Sequence, residues 1–426
     1  MITRAALVLD SEHPQTIGGL TLAERAVLLA HRTGLHPVFV WGPHPFTPAS
    51  LERVRSRGAD VVQLLASTLP FEQVVPPAGV VVIAADVLMG PLVLADLVAL
   101  GATNGAENGE QAAVLVSDGA PQLLYLPTSD IPAVRHCGTL DAMLSARRAP
   151  VRTLDPAGVF CRRVGVNDSR FEVERAYVRH MNGAESFFTK KIRRFSVPFS
   201  VALVRFGIAP AQVTVAGFVV SCVSAWFIAQ GHYLLGVLGG ILCYASMVFD
   251  CADGEVARLS MRDSAFGAWL ETWVDYSTYM LLLTALTMAT LGRPDEDSYR
   301  LAAAISLVGS LAVAVVAGYL RHRVAAADPG QFDDASAKVM ASSKGLHRFA
   351  SWGRQWIKRS SIAHLVLALS VVNQLPVLLY LWAFGATVAM VVIVAVEPFV
   401  VRKVKVTAVP VPPVGTGDGE GVRSCS

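Results

Sequence analysis

Asp250, Asp253, Glu271 and Asp275 are the residues of this sequence whose types and spacing could do chemistry. The first pair lies in the run Asp250-Cys-Ala-Asp253-Gly254-Glu-Val-Ala257-Arg258, and on a helix positions 250, 253/254 and 257/258 share one face. Two carboxylates then stack one turn apart, with an arginine beyond them. The second pair follows Gly267 at intervals of four, in Gly267-Ala-Trp-Leu-Glu271-Thr-Trp-Val-Asp275, and makes a second row. Facing each other, the rows would cluster four carboxylates around one arginine, more negative charge than the protein alone neutralises. Hard carboxylate oxygens suit Mg²⁺ or Mn²⁺, and two such ions could clamp a pyrophosphate and stabilise displacement at phosphorus. Gly254, Ala257 and Gly267 are small enough to let a ligand approach the helices closely.

Apolar runs must position these rows. Only 16% of the 426 residues are charged, where about 25% is usual for a soluble protein. Up to about Arg205 the apolar residues come in short runs, and beyond it in runs long enough to cross a bilayer. The spans expected are Ala211 to Gln230, Tyr233 to Phe249, Ala265 to Leu291 and Arg300 to Leu320, followed by two in Ile362 to Val401 that turn at Asn373 to Pro376. This gives an all-α domain of six transmembrane helices. Lys and Arg gather before the first span (Lys190, Lys191, Arg193, Arg194, Arg205), between Arg321 and Arg359, and after the last (Arg402, Lys403, Lys405). That distribution places both termini and the two acid rows on the cytoplasmic side. Carboxylates at that depth are costly and are expected to face a cavity and pair with cations or metal. In Glu185 to Ser196, Phe187, Phe188, Ile192 and Phe195 fall near one face of a helix and four cations on the other, which suits a helix lying in the bilayer interface or a basic linker.

The first part of the chain reads as an α/β Rossmann-like soluble domain. Short β-branched runs at Ala5 to Leu9, Pro37 to Val40, Val61 to Leu65, Val80 to Ala84 and Ala113 to Val116 alternate with helix-like stretches. The clearest helix begins after Thr21, with Glu24 placed to complete a capping box, and ends at Gly34. Six cysteines form no C-x-x-C pair, so neither a disulfide framework nor a zinc site is indicated. A net charge of +3 carries no nucleic-acid footprint. The expected organisation is residues 1–180 as the α/β domain, 181–207 as a juxtamembrane amphipathic helix, 208–403 as the membrane domain and 404–426 as a disordered tail.

Asp250, Asp253, Gly254, Ala257, Arg258, Gly267 and Asp275 match seven of the eight positions of a signature, D-x-x-D-G-x-x-A-R, eight residues, G-x-x-x-D-x-x-x-D. From about Glu185 to Lys403 the chain thereby resembles the CDP-alcohol phosphotransferase (phosphatidyltransferase) family. Ile208 to Thr214 looks like the segment that opens the first span in that family, with Ala211 where Asn is common, and Glu271 replaces the family's Asp. The resemblance implies Asp250, Asp253, Glu271 and Asp275 as ligands of Mg²⁺ or Mn²⁺, with Asp275 also the general base. It puts Gly254, Ala257, Arg258 and Gly267 around the cytidine diphosphate. The implied reaction joins a CDP-alcohol donor to an acceptor alcohol and releases CMP; membrane lipid is a further partner, nucleic acid is not, and a homodimer is left open. A non-catalytic membrane scaffold or lipid-binding protein derived from the family is the alternative.

The first 165 residues or so resemble sugar-phosphate nucleotidyltransferases, through Ile17-Gly18-Gly19-Leu20, the helix after it and Asp86 at a strand end. The fused arrangement looks most like bifunctional inositol-1-phosphate cytidylyltransferase/di-myo-inositol phosphate phosphate synthase proteins. Between Leu9 and Ile17, however, the chain has neither a Gly-rich turn to cradle a triphosphate nor Arg or Lys to neutralise it. The domain is therefore expected to serve docking or regulation, with a divergent cytidylyltransferase as the alternative. Asp86 is either a retained metal ligand or a polar residue ending a strand. The charge distribution also makes a topological prediction: a cysteine at Pro294 should react with an impermeant thiol reagent from the non-cytoplasmic side, above the level of the parent. Labelling from the cytoplasmic side alone would contradict the orientation.

Overall fold

The computed structural model describes residues 5–9, 15–41, 46–59, 62–65, 79–102, 111–117, 120–134, 137, 139–148, 150–154, 160–182, 187–325, 359–388 and 390. Most of the loop from Asp10 to Thr16, most of the basic connection from Arg321 to Arg359, and the tail with Arg402, Lys403 and Lys405 lie outside them. The chain forms two compact units, Met1–Ser221 with Ala245–Thr278, and Cys222–Tyr244 with Tyr279–Ser426.

In the first unit the strands are β1 (Ala5–Leu9), β2 (Thr16–Ile17), β3 (Leu20–Thr21), β4 (Val38–Trp41), β5 (Val62–Leu65), β6 (Val80–Ala84), β7 (Val87–Met89), β8 (Ala112–Ser117), β9 (Ala120–Leu126), β10 (Val151–Leu154) and β11 (Cys161–Arg163). Seven of them build one sheet in the order β10-β8-β9-β6-β1-β4-β5. β1 pairs in parallel with β4 and β6, in the register Leu7↔Phe39 and Leu7↔Val82. The near-continuous apolar runs of β1 and β6 fit this place, because a parallel sheet covered on both faces buries every side chain of its central strands. The sequence pattern points to β8 but misses β9, which lies antiparallel between β6 and β8. Only residues 118–119 join β8 to β9, too few for a crossover, so β9 must return antiparallel.

The helices of this region are α1 (Leu22–Arg32), α2 (Pro48–Arg55), α3 (Val93–Ala102), α4 (Ile131–Val134), α5 (Leu140–Ala146) and α6 (Arg170–Met181). α1 starts where expected: the Thr21 side chain accepts from the Glu24 backbone N–H, and the Glu24 carboxylate accepts from the Thr21 N–H at 2.9 Å. α7 runs from Phe187 to Arg205, inside the segment 181–207 and beyond the aromatic stretch that ends at Ser196. Its face is also divided, for Phe187 and Phe195 are exposed whereas Ile192 is buried inside the protein with Ser196, Val197, Ser200, Val201 and Val204. Val173 and Tyr177 of α6 and Val197 and Val201 of α7 form a core with Ala252, Val256 and Leu259, three residues of the signature helix.

Among the described residues, helices fall in the segments expected of spans, α8 (Pro210–Ala229), α9 (Tyr233–Ser260), α10 (Ala265–Met288), α11 (Glu296–Ala325), α12 (Arg359–Val371) and α13 (Val377–Val388), and residues 391–401 of the last expected span lie outside them. Among the described residues α8 and α9, of 20 and 28 residues, are long and apolar enough to cross a membrane, while α12 and α13 are apolar but shorter. The second unit packs Ile228, Leu282, Leu286, Val366 and Leu379 into its own core. Gly239 lets the α8 and α9 backbones approach closely there, since a Cβ would meet Ile228 Cγ1 at 2.6 Å, and Ser224 Oγ donates to the Gly239 carbonyl at 2.7 Å.

Loss of the α1 cap has a measurable expectation. Thr21→Ala should destabilise the helix start by about 1 kcal/mol and speed amide exchange in Leu22–Arg32, while Thr21→Ser stays near the parent.

Candidate active site

α9 continues eleven residues past the expected end of its span, so the whole run from Asp250 to Arg258 is helical and its predicted stacking on one face holds. Asp253 is 4% exposed. Thr214 of α8 donates its hydroxyl to Asp253 Oδ2 at 2.7 Å, and the Gly254 N–H donates to Oδ1 at 2.6 Å. Both carboxylate oxygens are thus fixed in direction, the condition for presenting their remaining lone pairs to a ligand. Asp250 is half-buried on the same face. Thr214 is a site residue the sequence reading did not single out, although it closes the Ile208 to Thr214 segment.

Arg258 Nη2 donates to Asn182 Oδ1 at 3.0 Å. Its guanidinium also lies back against Gly254, where a Cβ would meet Nη1 at 3.3 Å. In this arrangement Gly254 makes room for the site's own arginine. Ala257 is half-buried between the two.

The second row opens α10. Ser264 caps this helix, accepting from the Gly267 N–H at 3.0 Å, and Glu271 is exposed while Asp275 is half-buried. α9 and α10 are joined by residues 261–264 only, so the two acid rows flank a single turn. Asp250 and Glu271 lie near enough to Asp253 for their charges to act on it. Among the described residues no three His, Cys, Asp or Glu side chains converge as a ready cation cage. The donor set still fits a hard divalent cation: carboxylates of like charge are gathered at one turn, and the Asp253 oxygens are aimed by Thr214 and Gly254.

Glu255, an unassigned position inside the signature, is a second residue that the sequence reading missed. It is fully buried, ion-paired to Arg193 Nη1 at 2.7 Å, and accepts from Ser196 Oγ at 2.9 Å, Ser200 Oγ at 2.6 Å and Asn182 Nδ2 at 3.2 Å. Arg193 therefore turns into the protein and not outward, because a carboxylate in an apolar core needs a cation. The spacing 193, 196, 200 on one face of α7 was a usable signal for this. Asp86 pairs with Arg163 Nε at 2.8 Å, the arrangement of a polar residue closing a strand end.

The family model for CDP-alcohol phosphatidyltransferases matches residues 207–344, which contain both acid rows. That region is similar to a CDP-alcohol phosphatidyltransferase domain. The domain's relatives include the bifunctional IPC transferase and DIPP synthase of Aquifex aeolicus, 34% identical over 149 residues that cover 34% of this chain and 33% of that protein. An archaetidylinositol phosphate synthase of Methanothermobacter thermautotrophicus is 31% identical over 100 residues, 24% of this chain and 48% of the relative. The match thus spans a third of the first relative's length and about half of the second's. A solved Mycobacterium tuberculosis phosphatidylinositol phosphate synthase with CDP-DAG bound aligns over 54% of this chain and 100% of its own, at 20% identity and a TM-score of 0.35, too loosely to transfer residues.

The Glu255 cluster predicts a stability difference. Glu255→Ala strands the Arg193 charge and should cost about 3–5 kcal/mol, read as a drop of several degrees in the melting temperature of detergent-purified protein. Glu255→Gln should fall less, since an amide oxygen still accepts from the serines.

Proposed function

We propose that this protein is an integral membrane CDP-alcohol phosphotransferase, which moves a substituted phosphate from a CDP-alcohol to an acceptor alcohol and releases CMP. The observation that carries the reading is the pairing of the two acid rows across one turn, with Asp253 held by Thr214 and Gly254. In the reaction the acceptor oxygen bonds to the phosphorus that carries the donor's alcohol. The bond from that phosphorus to the bridging oxygen breaks, and CMP leaves with the electron pair. Asp275 takes the acceptor's proton, a role that needs a carboxylate within hydrogen-bond reach of the hydroxyl. Gly254, Ala257, Arg258 and Gly267 surround the cytidine diphosphate, with Arg258 directed by Asn182.

Asp250, Asp253, Glu271 and Asp275 would hold Mg²⁺ or Mn²⁺. Such ions, when bound, neutralise the pyrophosphate and the charge that develops on the leaving CMP. The six helices α8 to α13 are read as membrane spans, with the acid rows and both termini on the cytoplasmic side. The exposed apolar side chains of α8, such as Val215, Val219 and Trp226, support this reading. The names of the relatives point to an inositol phosphodiester or a phospholipid as product.

Purified protein incubated with Mg²⁺, several CDP-alcohols and a panel of acceptors should release CMP in a metal- and acceptor-dependent way; no release with any combination would overturn the proposal. Asp275→Asn should abolish turnover while nucleotide binding persists. Glu271→Gln should instead raise the Mg²⁺ concentration needed for half-maximal rate. If Asp275→Asn kept most of the parent's CMP release at saturating metal and acceptor, Asp275 would not be the base.

A further inference from the structure

The last carbonyls of α9 have no partners within the helix, and they lie at the negative end of its dipole. Two of them, and the carbonyl that follows the helix, are met in succession by arginines from the α/β domain. Arg25 Nη1 donates to the Leu259 carbonyl at 2.6 Å, Arg57 Nε to that of Ser260 at 3.0 Å, and Arg32 Nη2 to that of Met261 at 2.9 Å. Arg32 Nη1 also reaches Asp263 Oδ2 at 2.8 Å. Arg25 is 1% exposed and lies over the Tyr177 ring at 4.9 Å, so its charge has been taken out of water to make this contact. Burial, and then the neighbouring Arg262, pull the Arg57 guanidinium down to about 10, which leaves it charged at neutral pH.

Two further observations come from the other side of the same joint. The Gly18-Gly19 turn between β2 and β3 has φ of 61° and 77°, and a Cβ at Gly18 would stand 2.0 Å from the Leu259 carbonyl oxygen. Only glycine fits there, both for its backbone conformation and for its clearance. The space beside Gly18 is filled by the end of the signature helix. Met261, at φ 54°, inserts its side chain into the core of the α/β domain with residues of the sheet. A terminus that needed only solvation would have used water for its carbonyls.

We infer that the α/β domain is a positioning element of the transferase: its Gly18-Gly19 turn and Arg25, Arg32 and Arg57 fix the turn between α9 and α10, and so the spacing of the two acid rows. The inference rests on the transferase reading for its catalytic consequence, and on the geometry alone for the clamp. Arg32 and Arg57 are positioning residues that act through the backbone of Leu259 to Asp263. Their side chains are partly exposed, so their removal leaves the sheet intact.

The test uses full-length protein in detergent or nanodiscs, with Arg32→Ala/Arg57→Ala, Arg32→Lys/Arg57→Lys, and Arg163→Ala as a control away from the joint. Amide exchange of residues 256–266 should rise about tenfold or more in the double alanine variant, as expected for loss of charge-assisted hydrogen bonds, while exchange in β1 and β6 stays at the parent's level. The Mg²⁺ concentration for half-maximal CMP release should rise about tenfold, with the rate at saturating Mg²⁺ changed less. The double lysine variant should recover part of both effects, and Arg163→Ala should show neither. Unchanged exchange at 256–266 overturns the clamp. Raised exchange with unaltered metal dependence and turnover overturns the positioning role. If the parent releases no CMP at all, the transferase reading fails, and the exchange measurement still decides whether the clamp exists.

Discussion

A carboxylate removed from water has to be paired, and Glu255 imposes that constraint on everything around it. Arg193, Ser196 and Ser200 of α7 and Asn182 after α6 are drawn to it, so the two helices preceding α8 pack where they do because one face of α9 carries a buried acid. With that face fixed, the face bearing Asp250 and Asp253 has its direction set as well. The apolar residues Ala252, Val256 and Leu259 supply the burial, but apolar packing alone tolerates sliding and rotation, whereas four directional bonds to one carboxylate do not.

Much of this was legible in the sequence where the deciding interaction is local. The Thr21 and Glu24 box is a three-residue pattern, the five strands are apolar runs between turn residues, and the turn before α13 falls at Asn373 to Pro376 as its polar residues and proline indicate. The signature rows were legible because helical spacing places them without knowledge of any neighbour. What escaped depends on partners distant along the chain. Glu255 finds Arg193 across 62 residues, Thr214 finds Asp253 across 39, and Arg25 finds Leu259 across 234. Periodicity along one segment carries no trace of such pairings. It therefore assigned Arg193 to a cationic outer face, and it gave no part to Arg25, which is buried.

The strand β9 illustrates a different limit. Its residues are apolar apart from Gln122, and nothing in their composition states direction. Direction comes from the length of the link to β8, a property of the connection and not of the strand. In the second unit, likewise, small residues such as Gly239 matter through what lies opposite them, and an apolar stretch read alone cannot distinguish a glycine at a helix contact from one facing outward.

Asn182 stands between two unlike demands. Its amide nitrogen donates to Glu255, while its carbonyl oxygen accepts from Arg258. The side chain is thus a polarised spacer whose ends cannot be exchanged: reversing it would turn an oxygen toward a carboxylate and an N–H toward a guanidinium. An aspartate would keep the acceptor and set two anions face to face, and a leucine of similar shape would supply neither end. Position 182 accordingly tells the cation of Arg258 from the anion of Glu255 by the orientation of a single planar group, and through it the buried charge of the helix is felt by Arg258.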